Sequence, residues 1–344
     1  MLLAVLFSLL SIPPTFAGVS RTIPPTGAIV VRQTGASSGQ FTTIGAALTS
    51  LSGTAPATIF IFPGTYNEQV NITHPSLTIM GSTTEFVIDG FISKLMIVDF
   101  SPQSTGSYKD NTVTITHNLN AQDNGGNDAC ATVRATSSAP DLRIYNVNIV
   151  NSFGPGKQAT ALSATGTRQG FYGLSVTGYQ DTLLADGGGT LTYQYYSNCY
   201  IEGAVDYIYG SASAWFGECT IASNGGGAIT ANSRDNITDP SYYVIDSSVI
   251  ASAISTSLVG DVYLGRPWRM YARVIFQNSV LPNLINPAGY TTLDIGATPI
   301  YSEIDNTGAG ANTSKRVMYT PMTVPITHAQ VLGSDYNTWL DESF

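Results

Sequence analysis

Short apolar strands separated by polar turns recur along the chain. The segments NVNIVN, GLSVTG, NCYIEG, ECTIAS, DSSVIAS and QNSVLP end at Asn151, Gly178, Gly203, Ser223, Ser252 and Pro282. Aligned on their central apolar residue they superimpose Ile149, Val176, Ile201, Ile221, Val249 and Val280, with steps of 27, 25, 20, 28 and 31 residues. Leu77-Thr78-Ile79 and Val113-Thr114-Ile115 read as earlier members. One short strand per ~20–30 residues is the signature of a solenoid. The units lack helical periodicity, which argues against leucine-rich, ankyrin and tetratricopeptide repeats. The pattern predicts an all-β fold, a right-handed single-stranded parallel β-helix. A β-sandwich also has short strands with turns, but it gives no reason for the same Asn, Asp and Gly to flank each apolar centre.

A solenoid must cover its open ends. Residues 41–51 (FTTIGAALTSL) place Ile44, Ala47, Leu48 and Leu51 at helical spacing and predict a capping helix. Near the C-terminus Thr327 is placed to N-cap a short helix through Val331.

Composition agrees. Charged residues are 11% of the 344, while hydrophobic residues are 43%, so a large core forms and global disorder is excluded. The net charge of −9, with no long basic run, argues against a nucleic-acid partner. It also disfavours a polyanion whose charges are unmasked. The apolar run ending at Thr15-Phe16-Ala17 reads as a secretory signal over residues 1–17, with cleavage after Ala17 or Gly18, leaving 18–344 as a single domain. That run is too short for a membrane anchor. Asn71, Asn236 and Asn312 head N-x-S/T sequons, consistent with an extracellular glycoprotein. Cys130, Cys199 and Cys219 form at most one disulfide, and three buried thiols are as well supported as one bridge.

The repeat alignment has a chemical consequence. Asp181 lies five residues after Val176, and Asp206 five after Ile201. If both coils leave the strand alike, the carboxylates stack ~5 Å apart on neighbouring rungs. Such a pair separates into one ionised and one protonated group, a nucleophile or base beside a proton donor. A ladder of turn aspartates is the structural alternative. Gln158 precedes Gln180 by 22 residues, about one coil, so two amides can converge on a developing oxyanion. Arg266, held extended by Pro267, can grip a carboxylate with two hydrogen bonds, and Trp268 can stack on a sugar ring.

At these residues the chain resembles the pectin methylesterases, which remove methyl groups from homogalacturonan. Five short motifs of that family occur in order: residues 64–68 (GTYNE), 158–162 (QATAL), 178–183 (GYQDTL), 205–210 (VDYIYG) and 264–268 (LGRPW). The resemblance implies a parallel β-helix and a fungal-type secreted enzyme without an inhibitor-like pro-region. It implies Asp206 as nucleophile, Asp181 as general acid–base, Gln158 and Gln180 as oxyanion donors, and Arg266 as the residue orienting the nucleophile. Tyr179 and Trp268 match substrate-cleft aromatics. No cofactor or metal is implied, the partner is methylated pectin, and a monomer is expected. Tyr207 and Tyr209 replace usual phenylalanines, and Thr160 replaces a usual valine.

Three other readings fit less well. A polygalacturonase or pectate lyase acts on the same polymer, but the motifs of the former and the calcium-binding acidic cluster of the latter are missing from the sequence. A serine esterase would use Ser37 in the formal G-x-S-x-G of residues 35–39, which lacks the α/β pattern a nucleophile elbow requires. A non-catalytic wall-binding solenoid has no need of two Gln and two Asp in register.

Overall fold

The computed structural model describes residues 21–84, 106–187 and 190–344. The expected signal segment lies outside the described residues. Within them, three parallel sheets wrap around one core. One has ten strands, from Ile29–Val31 to Ile300–Ile304. The second has seven, from Val70–Ile72 to Val262–Gly265, and the third has seven, from Gly64–Asn67 to Val249–Ser252. From Ala57–Ile61 to Arg273–Gln277 the chain visits the sheets in turn, so sequential strands lie in different sheets and each pairs with its counterpart one coil away, whereas the first two and the last two strands are neighbours in the ten-stranded sheet. This is the parallel β-helix that the repeats predicted.

The apolar centres stack as a ladder: Ile115, Ile149, Val176, Ile201 and Ile221 pair in register in the third sheet, all buried. The ladder continues with Ile250 rather than Val249. Val249 and Val280 form a bridge on the outer face and are 45% and 42% exposed. Sequence alignment slipped there because two apolar residues are adjacent and a slip of one residue reverses which face is buried. Ile79 is also reassigned. Leu77–Gly81 belongs to the ten-stranded sheet, whereas Val113–His117 lies in the third. Inside the helix Phe171, Tyr196 and Phe216 stack at 4.7 and 4.6 Å between centroids. All three cysteines are free and buried, behaving as small hydrophobes.

The polar flanks have a backbone cause. Each strand of the ten-stranded sheet from Arg143–Tyr145 onward is followed by one residue with positive φ: Asn146, Gly173, Asn198, Glu218, Ser247, Asn278 and Asp305. A single left-handed residue turns the chain from one sheet into the next, and Asn, Asp and Gly adopt that conformation most readily. This explains why an alignment of strands is also an alignment of polar residues.

The predicted capping helix is Ile44–Thr49, with Ile44 and Ala47 buried against the first coil. Thr43 caps it by accepting from Ala46 N at 3.2 Å. The Glu68 carboxylate accepts from Ile44 N and Gly45 N at 2.8 and 2.9 Å, neutralising the positive end of the helix. The last residue of the GTYNE motif therefore fastens the cap. The C-terminal helix is His328–Leu332, with Thr327 and Gln330 forming a capping box. It covers the outer face of the ten-stranded sheet rather than an open end. Val331, Leu332, Trp339 and Leu340 pack there on Trp215, Val244 and Ile275.

Glu218 has φ of 54° and an exposed side chain, so its backbone conformation is its main constraint. Glu218→Gly removes the left-handed penalty and should leave stability unchanged or raised, whereas Glu218→Val should lose about 1–2 kcal/mol. Denaturant unfolding of both variants checks this. A glycine variant less stable than the valine variant would contradict it.

Candidate active site

The second sheet builds the site. Leu183–Ala185 and Ile208–Gly210 pair with Leu183 opposite Ile208. Asp181 and Asp206 each lie two residues before these strands, so register sets them on neighbouring rungs, as the offset predicted. Backbone bonds hold both in place: Asp181 N donates to Val205 O at 3.0 Å, and Asp206 N to Ala228 O at 2.8 Å. Both aspartates have positive φ, 60° and 50°, a conformation unfavourable to residues with a side chain. They are 3% and 8% exposed.

The two carboxylates have opposite partners. Arg266 grips Asp206 with two prongs, Nε to Oδ1 and Nη2 to Oδ2, both 2.7 Å. Arg266 N bonds Thr230 O at 2.9 Å, so its guanidinium reaches back across the strand Gly227–Asn232 to Asp206. The preceding Gly265 is required by close packing, because a Cβ there would sit 2.4 Å from Thr230 Oγ1. Asp181 instead receives neutral donors. Asn127 Nδ2 and Gln158 Nε2 both donate to its Oδ2, at 2.8 and 2.9 Å. Burial, then the Asp206 carboxylate, pushes the Asp181 carboxyl up to about 7, and the amide donors only partly offset this. The bond to Asp206 holds the Arg266 guanidinium above its ordinary value.

Gln158 Oε1 accepts from Gln122 Nε2 at 3.1 Å, which fixes the amide so that its NH₂ faces Asp181. Gln180 is half-buried, and Gln180 and Val205 form a bridge. Ala159 N donates to Gln180 O at 3.0 Å and Ala161 N to Thr182 O at 2.8 Å, which keeps Gln158 at the coil position of Gln180, as the 22-residue spacing predicted. Trp268 packs on Leu184, Tyr209 and Ala231, 5.9 Å from the Tyr209 ring centroid, with the Arg269 guanidinium 5.2 Å from its own centroid. Tyr179 is half-buried beside Gly225, where a Cβ would meet its hydroxyl at 3.0 Å.

Two departures from the family pattern are one feature. The Thr160 and Tyr209 hydroxyls bond each other at 2.7 Å in a fully buried position. The Tyr207 hydroxyl likewise has Ser223 Oγ at 3.0 Å. A buried phenol needs such a partner, so the second substitution satisfies the first. Sequence reasoning did not find Asn127 or Gln122. They sit in a loop outside the repeats, and no motif marks them.

The raised Asp181 value has a stability consequence. A carboxyl whose folded value is raised contributes stability that is present below its unfolded value, near 4, and lost as pH rises through about 7. Asp181→Asn should therefore stabilise the fold at pH 7–8, on the order of a few kcal/mol at most, with the gain fading toward pH 4. Thermal midpoints of both proteins across this range check it. A difference independent of pH would contradict it.

A model of the pectinesterase family matches residues 103–341. Pectinesterase A of Emericella nidulans is 49% identical over 331 residues, covering 96% of this chain and 93% of the relative. The pectin methylesterase of Aspergillus niger, solved in deglycosylated form, superimposes with a TM-score of 0.84 at 45% identity, covering 94% of this chain and all of that one. The pectin methylesterase of carrot superimposes at 0.76 with 27% identity, over 94% and 97% of the two chains. This β-helix, with its paired aspartates, belongs to the pectinesterase family and is a carboxylic ester hydrolase that removes methyl groups from pectin.

Proposed function

We propose that demethylation proceeds through a covalent acyl-enzyme on Asp206, without metal or cofactor. An Asp206 oxygen attacks the carbonyl carbon of a galacturonate methyl ester. The oxyanion that develops is met by the amides of Gln158 and Gln180. The carbon–methoxy bond then breaks, and Asp181 gives its proton to the departing oxygen, releasing methanol. Water next attacks the mixed anhydride, and Asp181 takes the proton of that water. The bond to Asp206 breaks, freeing galacturonic acid and both aspartates in their starting states. Tyr179 and Trp268 offer aromatic faces to the sugar chain.

One observation carries this reading: among the described residues Arg266 pairs with Asp206 alone, while Asp181 on the neighbouring rung receives only neutral side-chain donors. The arginine aims a carboxylate, and the amides surround a group suited to holding a proton near neutral pH. Residues 18–344 form one catalytic domain that acts as a monomer outside the cell after removal of residues 1–17. Glycans at Asn71, Asn236 and Asn312 fit this, since all three side chains are exposed.

Methanol release from methylated pectin tests the roles. Asp206→Asn should lose nearly all turnover, and Gln158→Ala should lose about 10²–10³-fold in kcat, as for other oxyanion donors. Full activity of Asp206→Asn would overturn the covalent route.

The net charge of −9 gives a second test. Each turnover creates a new carboxylate beside an acidic protein, which favours release of the product chain. Demethylation should be scattered at low salt and shift toward contiguous blocks at high salt, because screening over ~8–10 Å weakens the repulsion. Mapping the product pattern at both salt levels checks this, and long blocks at low salt would contradict it.

A further inference from the structure

The loop over residues 118–131 leaves the repeat and returns two side chains to the site. Gly125 and Gly126, with φ of 82° and 112°, turn the chain into the short helix Asn127–Cys130. That turn is fastened to the outer face of the catalytic sheet. Asp128 accepts from Ser163 Oγ at 2.7 Å and from Arg134 Nη2 at 2.5 Å. Ser163 and Arg134 are themselves register partners on adjacent strands. Cys130 lies buried below, its Sγ donating to Asn127 O at 3.2 Å. Asn127 is thereby held against Asp181, and Gln122 of the same loop against Gln158.

A carboxyl oxygen that accepts two amide N–H bonds has little lone-pair capacity left for a proton. Both donors to Asp181 address Oδ2, and among the described residues nothing hydrogen-bonds Oδ1. We propose that Asn127 is a positioning residue for ester hydrolysis: together with Gln158 it saturates Oδ2 of Asp181 and confines the transferable proton to Oδ1. This rests on the reading of Asp181 as the general acid–base. Gln158 alone would leave one lone pair of Oδ2 open, and the proton would divide between two oxygens, of which one points into the amide cluster. The other groups facing Asp181 are Asp206, Arg266, Cys130 and Tyr209. None of them donates a hydrogen bond to Oδ2, so none replaces Asn127.

The test is the pH profile of kcat/KM for methanol release, measured on the native chain, Asn127→Ala, Asn127→Ser and Asn127→Asp, with Asp181→Asn as reference. Losing a donor to the charged form raises the proton affinity of Asp181. The alkaline limb should therefore move up by about half to one pH unit in Asn127→Ala. Its plateau kcat should fall about tenfold, with KM within about twofold. Asn127→Asp keeps the size but puts a further carboxylate there, and should move the limb further. Asn127→Ser keeps a small polar group and gives a second removal of the amide if the alanine variant folds poorly. Unchanged limbs and kcat in folded Asn127→Ala or Asn127→Ser would overturn the proposal. If Asp181→Asn retains native turnover, the acid–base reading of Asp181 falls, and with it the role given to Asn127.

Discussion

Stacking parallel coils in register puts equivalent side chains one rung apart, ~4.8 Å. At positions 181 and 206 those side chains are carboxylates, both nearly excluded from water. Two negative charges at that separation in a poorly solvated site repel strongly. The fold resolves the conflict by treating the two differently. Arg266 supplies one full positive charge, and both prongs go to Asp206. Asp181 receives dipoles instead of charge, and its carboxyl rises to about 7. One residue type thus stands in two environments, and the asymmetry comes from the neighbours.

Those neighbours come from both sides along the helix axis. Arg266 belongs to the second coil beyond Asp206, Gln158 to the coil before Asp181, and Asn127 to a loop one coil earlier still. The rigid ladder between them supplies the positioning. Apolar centres such as Ile201 fix the register, and left-handed corner residues such as Asn198 set where each coil turns. The stability of the stack also tolerates the strain stored at Asp181 and Asp206, whose positive φ places both carboxylates at the mouth of the same sheet.

Much of this was legible in the sequence because a solenoid repeats its rules. Ile149, Val176, Ile201 and Ile221 share one environment, so a linear alignment recovers three-dimensional neighbours, and the equal offsets of Asp181 and Asp206 follow. The helix capped by Thr327 was legible from local capping chemistry, but its docking on Trp215 was not, because packing against a sheet face is a long-range property. Register was lost at Val249, where Ile250 follows and either residue satisfies the apolar pattern. Ile79 was assigned to the wrong sheet because strands of all three sheets look alike locally. Asn127 and Gln122 were invisible for a different reason: they lie in an excursion that no repeat predicts, and a lone amide has no signature. The Thr160–Tyr209 pair was visible only as two separate departures, since sequence alone does not say that the two side chains touch.

Burial and proximity to Asp206 raise the Asp181 carboxyl to about 7, while Arg266 claims its partner. The most direct measurement is titration of the individual aspartate carboxyls by carbon-13 NMR in the native chain, in Asp181→Asn and in Asp206→Asn. One carboxyl should titrate near pH 7, disappear in Asp181→Asn, and move to lower pH in Asp206→Asn as the second charge is removed. A native chain in which Asp181 titrates in the ordinary carboxylate range, or in which removing the Asp206 charge leaves it unmoved, would contradict it.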